Sequence, residues 1–328
     1  MEYSIGIDLG GTKIACGLVD GEGRILHKAS LPTDAARGAG PILADIAHLA
    51  MTVCTDGGVP FDAIPSIGIG VPGSTNDGTG IVEWAVNLHW RDVPLRAPLS
   101  ATTGKDIHIG NDANAAALGE YIAGAAREAD TLLMLTLGTG IGGGLVLDGG
   151  IYEGHNRSAL EPGHMVIRQG GRPCACGRRG CFERYASASG LVQTTREAME
   201  AHPESALWDK VGGDIERVEG RTAFEVMASG DRTAARVVSD YLDDLACGVT
   251  SLINLFQPQL VCIGGGLSQR GEALLLPLRE RVAEEVFSKH SPQNAQIAFA
   301  ELGNDAGIIG AAHLHRVERR RRGTCNSI

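Results

Sequence analysis

Two glycine-rich turns, each set between short apolar runs, constrain this chain most. In the first, Ile5-Gly6-Ile7 leads into Asp8-Leu9-Gly10-Gly11-Thr12-Lys13 and then Ile14-Ala15-Cys16-Gly17-Leu18-Val19. In the second, LTLGTGIGGG at residues 135–144 runs on into Leu145-Val146-Leu147 and Asp148-Gly149-Gly150. Gly138, Gly140 and Gly143 satisfy the GxGxxG spacing of a dinucleotide loop, but that fingerprint needs a helix after the glycines, so that a pyrophosphate rests on the helix N-terminus. Here an apolar run follows instead. Both segments therefore read as strand, glycine turn, strand, and their repetition suggests duplicated halves facing each other across a cleft.

Between and beyond these hairpins, strands alternate with helices. A helical pattern spans 41–54, and the apolar run Ile67-Gly68-Ile69-Gly70-Val71 ends at Pro72-Gly73. Ile107-His108-Ile109 ends at Gly110-Asn111-Asp112 and hands over to an alanine-rich helix from about 113 to 125. A long helix over about 233–256 precedes the strand Val261-Cys262-Ile263, which closes on Gly264-Gly265-Gly266. A helix, the strand Ile297-Ala298-Phe299 and a last helix from about 305 complete the pattern. This alternation predicts an α/β protein with largely buried sheets. With 328 residues, 43% of them hydrophobic, the chain can support two cores. The expected domains are 1–112, completed by the C-terminal helix at about 305–328, and 113–304, which carries a cysteine-rich loop.

Composition narrows the function classes. Net charge is −10, and no basic stripe is interleaved with aromatics, which argues against a nucleic-acid partner. No apolar stretch is long enough to span a membrane, and Met1 stands too close to the first strand for a signal peptide, so a cytoplasmic protein without a membrane partner is expected. The run Arg319 to Arg322 reads as a solvated helix end.

Three constellations carry chemistry. The hairpins can present backbone N–H groups to the phosphates of one nucleotide, with Asp8 beside the first turn to hold Mg²⁺ through water. Tight turns alone would also use glycine, but a second hairpin and the glycines at 264–266 favour the nucleotide, and no GxxxxGK[ST] stretch offers a Walker loop. Asp112 stands at a helix N-terminus, where a carboxylate is stabilised in its charged form; it reads either as a helix cap or as the base that takes a hydroxyl proton in phosphoryl transfer. The third constellation is EPGH at 161–164 followed by CACGRRGCFE at 174–183. His164, Cys174, Cys176 and Cys181 supply one nitrogen and three sulfurs, a closed set suited to structural zinc rather than catalysis. Three incidental thiols are the alternative. A metal here would fix Glu161 and Glu183 rigidly, and rigid carboxylates suit a polyol.

Taken together, Asp8-Leu9-Gly10-Gly11-Thr12, Asn111-Asp112-Ala113-Asn114-Ala115-Ala116, Leu137-Gly138-Thr139-Gly140-Ile141-Gly142-Gly143-Gly144, Glu161-Pro162-Gly163-His164 and the Cys174–Glu183 segment resemble the ROK family (repressors, open reading frames, kinases). The resemblance runs along nearly the whole chain. It implies an actin-like ATPase (ribonuclease H-like) fold with two domains flanking a cleft, and ATP-dependent phosphorylation of a hexose, usually at the 6-hydroxyl. It assigns the base to Asp112, and sugar binding to Gly73, Asn87, Asn111, Asp112, Glu161, His164 and Glu183. Phosphate contacts fall on Gly10, Gly11, Thr12, Lys13, Gly138, Thr139 and Gly140, and the adenosine wall on Gly264 and Gly265; Lys13 also reads as a surface residue. The implied ligands are ATP, Mg²⁺ and structural Zn²⁺, and the implied assembly is a homodimer or larger homo-oligomer. Asn87-Leu88-His89-Trp90 with Pro94-Leu95, and the run from Gly180 to Ser187, resemble the glucokinases of the family. One departure is Ser158-Ala159-Leu160 before Glu161, where glucokinases commonly carry glycine, which keeps N-acetylglucosamine, N-acetylmannosamine and fructose open as substrates. A sugar-sensing repressor would carry a winged helix ahead of Asp8, and a chaperone-like ATPase has no use for the cysteine segment.

Overall fold

The computed structural model describes residues 3–316, so the Arg319–Arg322 run lies outside the described residues. The chain begins with β1 (Tyr3–Leu9), β2 (Lys13–Asp20) and β3 (Ile25–Pro32), followed by α1 (Ala39–Asp56) and β4 (Ser66–Val71). Three short strands come next, β5 (Ser74–Asn76), β6 (Ile81–Ala85) and β7 (Trp90–Pro94), then α2 (Arg96–Thr103), β8 (Asp106–Asn111) and α3 (Asp112–Ala123). The second hairpin is β9 (Thr131–Leu137) and β10 (Ile141–Leu147), with the short β11 (Gly150–Ile151) behind it. After an irregular loop come α4 (Glu183–Ala186), α5 (Ala188–Ala201), α6 (Leu207–Lys210), α7 (Thr222–Met227) and α8 (Arg232–Phe256). The described residues close with β12 (Leu260–Gly264), α9 (Glu272–Glu285), β13 (Gln296–Phe299) and α10 (Asp305–Ala312).

Both expected hairpins form, and each belongs to a five-stranded sheet, ordered β3-β2-β1-β4-β8 and β11-β10-β9-β12-β13. In the first sheet β1 pairs antiparallel with β2 and parallel with β4, and β4 pairs parallel with β8. β4, central among the parallel strands, is buried on both faces, which is why it reads as an unbroken apolar run. A third, antiparallel sheet, β5-β6-β7, gives little warning in the sequence because strands this short show too little periodicity.

Within the described residues, 3–133, 144–160 and 300–316 form one compact unit, and 134–143 with 161–299 form a second. The first unit takes in α3, beyond the boundary expected at residue 112. Backbone-to-backbone packing is the reason. A Cβ on Gly310 of α10 would overlap the carbonyl of Ala115, and one on Gly119 of α3 would overlap that of Ala306. Glycines on the sheet do the same for α10: side chains on Gly6 or Gly68 would run into the carbonyls of Ile308 and Ala311. At the far end of α3 the fully buried Glu120 carboxylate accepts the N–H groups of Ala125, Glu301 and Leu302 at 2.8–3.1 Å. A buried carboxylate satisfied three times fixes the approach to α10. Among the described residues, no helix is long and apolar enough to cross a membrane.

Candidate active site

In the first unit the turn between β1 and β2 is closed by Gly10 donating to the carbonyl of Lys13 at 2.9 Å. Thr33, fully buried, pins it from the other side: its hydroxyl donates to the Gly10 carbonyl at 2.6 Å and its N–H to Thr12 at 3.0 Å. Gly11 is held against Asn87, since a Cβ there would lie 3.0 Å from the Asn87 Cβ and carbonyl oxygen. Thr12 and Lys13 are exposed.

Asp8 lies one residue before the end of β1, with its carboxyl group beside Gly307 of α10. Burial, reinforced by repulsion from Asp112 and opposed by Lys13, pushes its pKa up to about 6. Asp112 is the first residue of α3, yet it does not cap the helix. Asn111 is the cap: its Oδ1 accepts from Ala113 at 2.9 Å and Asn114 at 3.1 Å, while its Nδ2 donates to the Gly73 carbonyl at 3.1 Å. Asp112 accepts the backbone N–H of Ala113 at 2.8 Å. Its pKa is raised because burial outweighs the hydrogen bonds from the backbone N–H groups of Ala113 and of Asp112 itself, so desolvation rather than the helix N-terminus sets its basicity. Gly73, at φ 105°, has a backbone that only glycine adopts readily.

In the second unit, Gly138 donates to the Gly140 carbonyl at 3.0 Å across the turn between β9 and β10, and Ala188 donates to Gly138 at 2.8 Å. The glycines here have distinct causes. A Cβ on Gly138 would meet no protein atom within 4 Å, and its φ is not positive, so neither packing nor backbone calls for glycine. Open space lies where a side chain would stand. On Gly140 a Cβ would meet Oε2 of Glu183, and on Gly143 it would come within 2.7 Å of Pro162. The GxGxxG spacing is therefore coincidental, its third glycine serving packing. Gly264 ends β12, buried, and Gly265 at φ 86° would drive a side chain into the backbone of Leu137.

His164, Cys174, Cys176 and Cys181 come together as the spacing predicts, one ligand atom from each lying within 4.8 Å of all the others. Cys176 Sγ is 3.6 Å from Cys181 Sγ, and Cys174 Sγ is 3.7 Å from His164 Nδ1. Tetrahedral zinc with Zn–S of about 2.3 Å sets its sulfurs about 3.8 Å apart, so the donor set and its spacing fit that ion. Burial pushes the Cys181 thiol up to about 12, and a divalent ion would supply the charge that buried thiolates need. Glu183 Oε1 lies 3.6 Å from Cys174 Sγ while its Oε2 faces Gly140, so one carboxylate joins the cysteine loop to the hairpin turn. Glu161 is exposed ahead of the turn Pro162–His164, and its carbonyl accepts from His164 at 3.1 Å. Leu160 before it has φ 66° and Arg157 has φ 62°, left-handed conformations that cost a non-glycine residue about 1–2 kcal/mol.

Sequence reasoning missed three supports. Thr33 carries no motif. The buried Asp77 pairs with Arg96 and accepts from Ile109 at 3.0 Å, while Arg96 donates to the Ile107 carbonyl at 2.7 Å; together they tie the β5 end to β8, the strand that delivers Asn111 and Asp112. No spacing rule joins positions so far apart. Tyr185, two residues after Glu183, is the third.

The model of the ROK family matches residues 4–318. A glucokinase of Thermotoga maritima is 39% identical over 94% of this chain and 96% of its own. Among solved structures, a ROK family glucokinase from Streptomyces griseus in complex with glucose and AMPPNP is 35% identical, with TM-score 0.78 over 95% of this chain and 98% of its own. A ROK hexokinase from Thermus thermophilus is 33% identical, with TM-score 0.80 over 97% and 99%. The mixed α/β architecture is the actin-like ATPase fold of these ROK sugar kinases. With the hairpins, the Asn111-Asp112 helix start and the Cys/His cluster all in place, the chain belongs to the ROK family.

Proposed function

We propose that the protein is an ATP-dependent hexose kinase that phosphorylates the 6-hydroxyl of glucose. The glucokinase relatives, one of them holding glucose and AMPPNP, support the reaction class. The observation that carries the assignment of chemistry is Asp112: a carboxylate at a helix start, relieved of capping by Asn111 and kept basic by burial. A general base works best when its pKa approaches the working pH.

In this reading Asn111, Asn87, Glu161, His164 and Glu183 orient the sugar, with Gly73 shaping the loop, and Asp112 accepts the proton of the attacking 6-hydroxyl. Asn111 does two jobs, since its side chain also ties the helix start to Gly73. Gly10, Gly11, Thr12, Lys13, Gly138, Thr139 and Gly140 serve the phosphates, and Gly264 and Gly265 the adenosine. Mg²⁺ near Asp8 would neutralise charge on the phosphates, and Zn²⁺ in the Cys/His cluster would hold the loop bearing His164 and Glu183. His164 turns Nδ1 toward Cys174, which leaves Nε2 for a sugar hydroxyl. Leu160 in a left-handed backbone next to Glu161 is the feature that would bias the pocket toward another hexose. The reading carries with it a cytoplasmic enzyme acting as a homodimer or larger homo-oligomer.

The test is ADP release with Mg-ATP against glucose, N-acetylglucosamine, N-acetylmannosamine, mannose and fructose. A clear kcat/KM advantage for glucose is expected. Turnover of another hexose moves the substrate assignment alone, whereas sugar binding by calorimetry without turnover overturns the kinase reading in favour of a sensor.

A further inference from the structure

The segment from His164 to Cys181 is a small irregular ribbon. Ile167 and Arg168 both donate to Gly180, at 3.0 and 3.2 Å, Gly180 donates to Arg172 at 2.8 Å, and Phe182 donates to Met165 at 2.7 Å. Bridges pair Val166 with Cys181 and Pro173 with Arg179. The candidate metal ligands gather at residues 164, 174, 176 and 181, whereas Arg168 and Arg172 flank the turn at Gly170 and Gly171.

That turn is gripped by Tyr185. The Arg168 and Arg172 guanidinium carbons lie 4.6 and 5.0 Å from the Tyr185 ring centroid, and the buried Tyr185 hydroxyl accepts the N–H of Arg172 at 2.7 Å. A Cβ on Gly171 would overlap this hydroxyl, so the chain passes as close to it as a backbone can. Each guanidinium is anchored beyond the ring. Arg168 makes two bonds to Asp244 of α8, at 2.8 and 2.7 Å, and Arg172 reaches Thr194 at 3.1 Å and Glu197, both on α5. Arg172 also donates to the Arg184 carbonyl at 3.0 Å.

We propose that this carboxylate–arginine–tyrosine network is a second staple of the ribbon, one that holds without the metal, and that Tyr185 is a positioning residue for sugar binding. Tyr185 shares the one-turn helix α4 with Glu183, the carboxylate that faces both Cys174 and Gly140. Holding the ring holds the helix, and so the carboxylate, whether or not the cluster carries an ion. The network also sets the backbone around Cys174 and Cys181, so it preorganises the ligand set. Supporting residues of this kind typically change metal affinity by about 10–100-fold. The part of the proposal that concerns sugar rests on the hexose-kinase reading; the part that concerns metal does not.

The experiment compares full-length wild type, Tyr185→Phe, Tyr185→Leu and Arg168→Met, each zinc-loaded and zinc-stripped. Zinc affinity is read by competition with a chromophoric chelator, and KM for glucose and for ATP by ADP release. Stripped wild type should still saturate with glucose. Tyr185→Leu should bind zinc about 10–100-fold more weakly and, once stripped, lose glucose saturation while its ATP KM stays within about twofold of wild type. Tyr185→Phe keeps the ring but loses the acceptor of the Arg172 N–H and should lie between wild type and Tyr185→Leu; Arg168→Met removes one guanidinium, should also fall between, and stands in should Tyr185→Leu fail to fold. Wild-type zinc affinity in Arg168→Met and in folded Tyr185→Leu overturns the staple, whichever sugar is turned over. Weakened zinc binding with glucose and ATP KM rising together overturns the positioning role alone. Failure of wild type to phosphorylate glucose would count against the kinase reading and leave the zinc comparison standing.

Discussion

The carboxylates of the first unit and those of the second are held by different means. Asp8 and Asp112 stand at the end of a central strand and the start of a helix, and buried main chain sets their positions: Asn111 caps α3, and β1 runs beside β4 through a register of Ile5 to Asp8. Burial raises both pKa values. Glu161 and Glu183 instead stand at the two ends of a loop with little regular structure, Glu183 opening the one-turn α4, and the loop's shape rests on thiols, a histidine and an arginine-tyrosine network. The first pair is therefore built in by the core of its unit, and the second is built by local devices that can be removed one at a time. Chemistry assigned to the first pair should be hard to move without destroying it, and sugar affinity assigned to the second should be adjustable.

The sharpest way to break this contrast is Asp112→Asn. It keeps the shape and removes the proton acceptor, while Asn111 still caps the helix. Turnover should fall by about 10²-fold or more, with sugar binding by calorimetry close to wild type. Turnover at the wild-type level would remove the base assignment, and a melting temperature far below wild type would mean that Asp112 belongs to the fold rather than to the chemistry. In the second unit the corresponding change is loss of metal. Cys176→Ser, or stripping with a chelator, should raise the glucose KM by about tenfold while the ATP KM holds. Metal analysis of the purified protein well below one zinc per chain would overturn the premise.

The turn between β9 and β10 allows a finer cut, because its glycines differ. At Gly138 an added methyl meets no protein atom, whereas at Gly140 it meets Glu183. Gly138→Ala should leave the melting temperature unchanged and raise the ATP KM by up to about tenfold, the size of one methyl group misplaced in a binding site. Gly140→Ala should in addition raise the glucose KM, by displacing Glu183. Identical kinetic profiles for the two variants would erase the distinction between open space at Gly138 and packing at Gly140.

Features written locally are legible in the amino-acid sequence. A hairpin is a turn between two neighbouring runs, and a Cys/His set within one short window has few ways to arrange itself, so both appear where spacing places them. The strand-to-helix handover at Asn111-Asp112 is legible too, but not the division of labour within it, which depends on Asn111 reaching both Ala113 and the Gly73 carbonyl. Whether a glycine serves a turn, a neighbour or a ligand is likewise a matter of what its missing Cβ would strike. Gly143 against Pro162 and Gly138 against nothing look the same in sequence. Long-range supports leave no signal at all: Asp77 finds Arg96 and Ile109 through the fold, and Gly6 and Gly68 matter only once α10 lies on β1 and β4.

The smallest effect tests whether burial of the first pair has a cost to stability. Asp8 has an ordinary value of 3.8 raised to about 6 by burial, so between those pH values the native state holds a proton that the unfolded chain has released. Stability then falls as pH rises from 3.8 through about 6 and stays at the lower level above it, because the unfolded state binds fewer protons across that window. Asp8→Asn removes the ionisation while keeping most of the shape beside Gly307. At pH 7.5 it should stabilise the metal-free, nucleotide-free protein by about 1–2 kcal/mol, allowing for partial solvent access, which is a rise of a few degrees in Tm. The gain should shrink as pH falls through about 6 and vanish near 4, while phosphorylation activity drops at every pH. Thermal melts of both proteins across that range decide the point. A variant less stable than wild type at pH 7.5 would mean that the Asp8 carboxylate stabilises its unit, and the contrast between strain in the first pair and scaffolding in the second would have to be reversed.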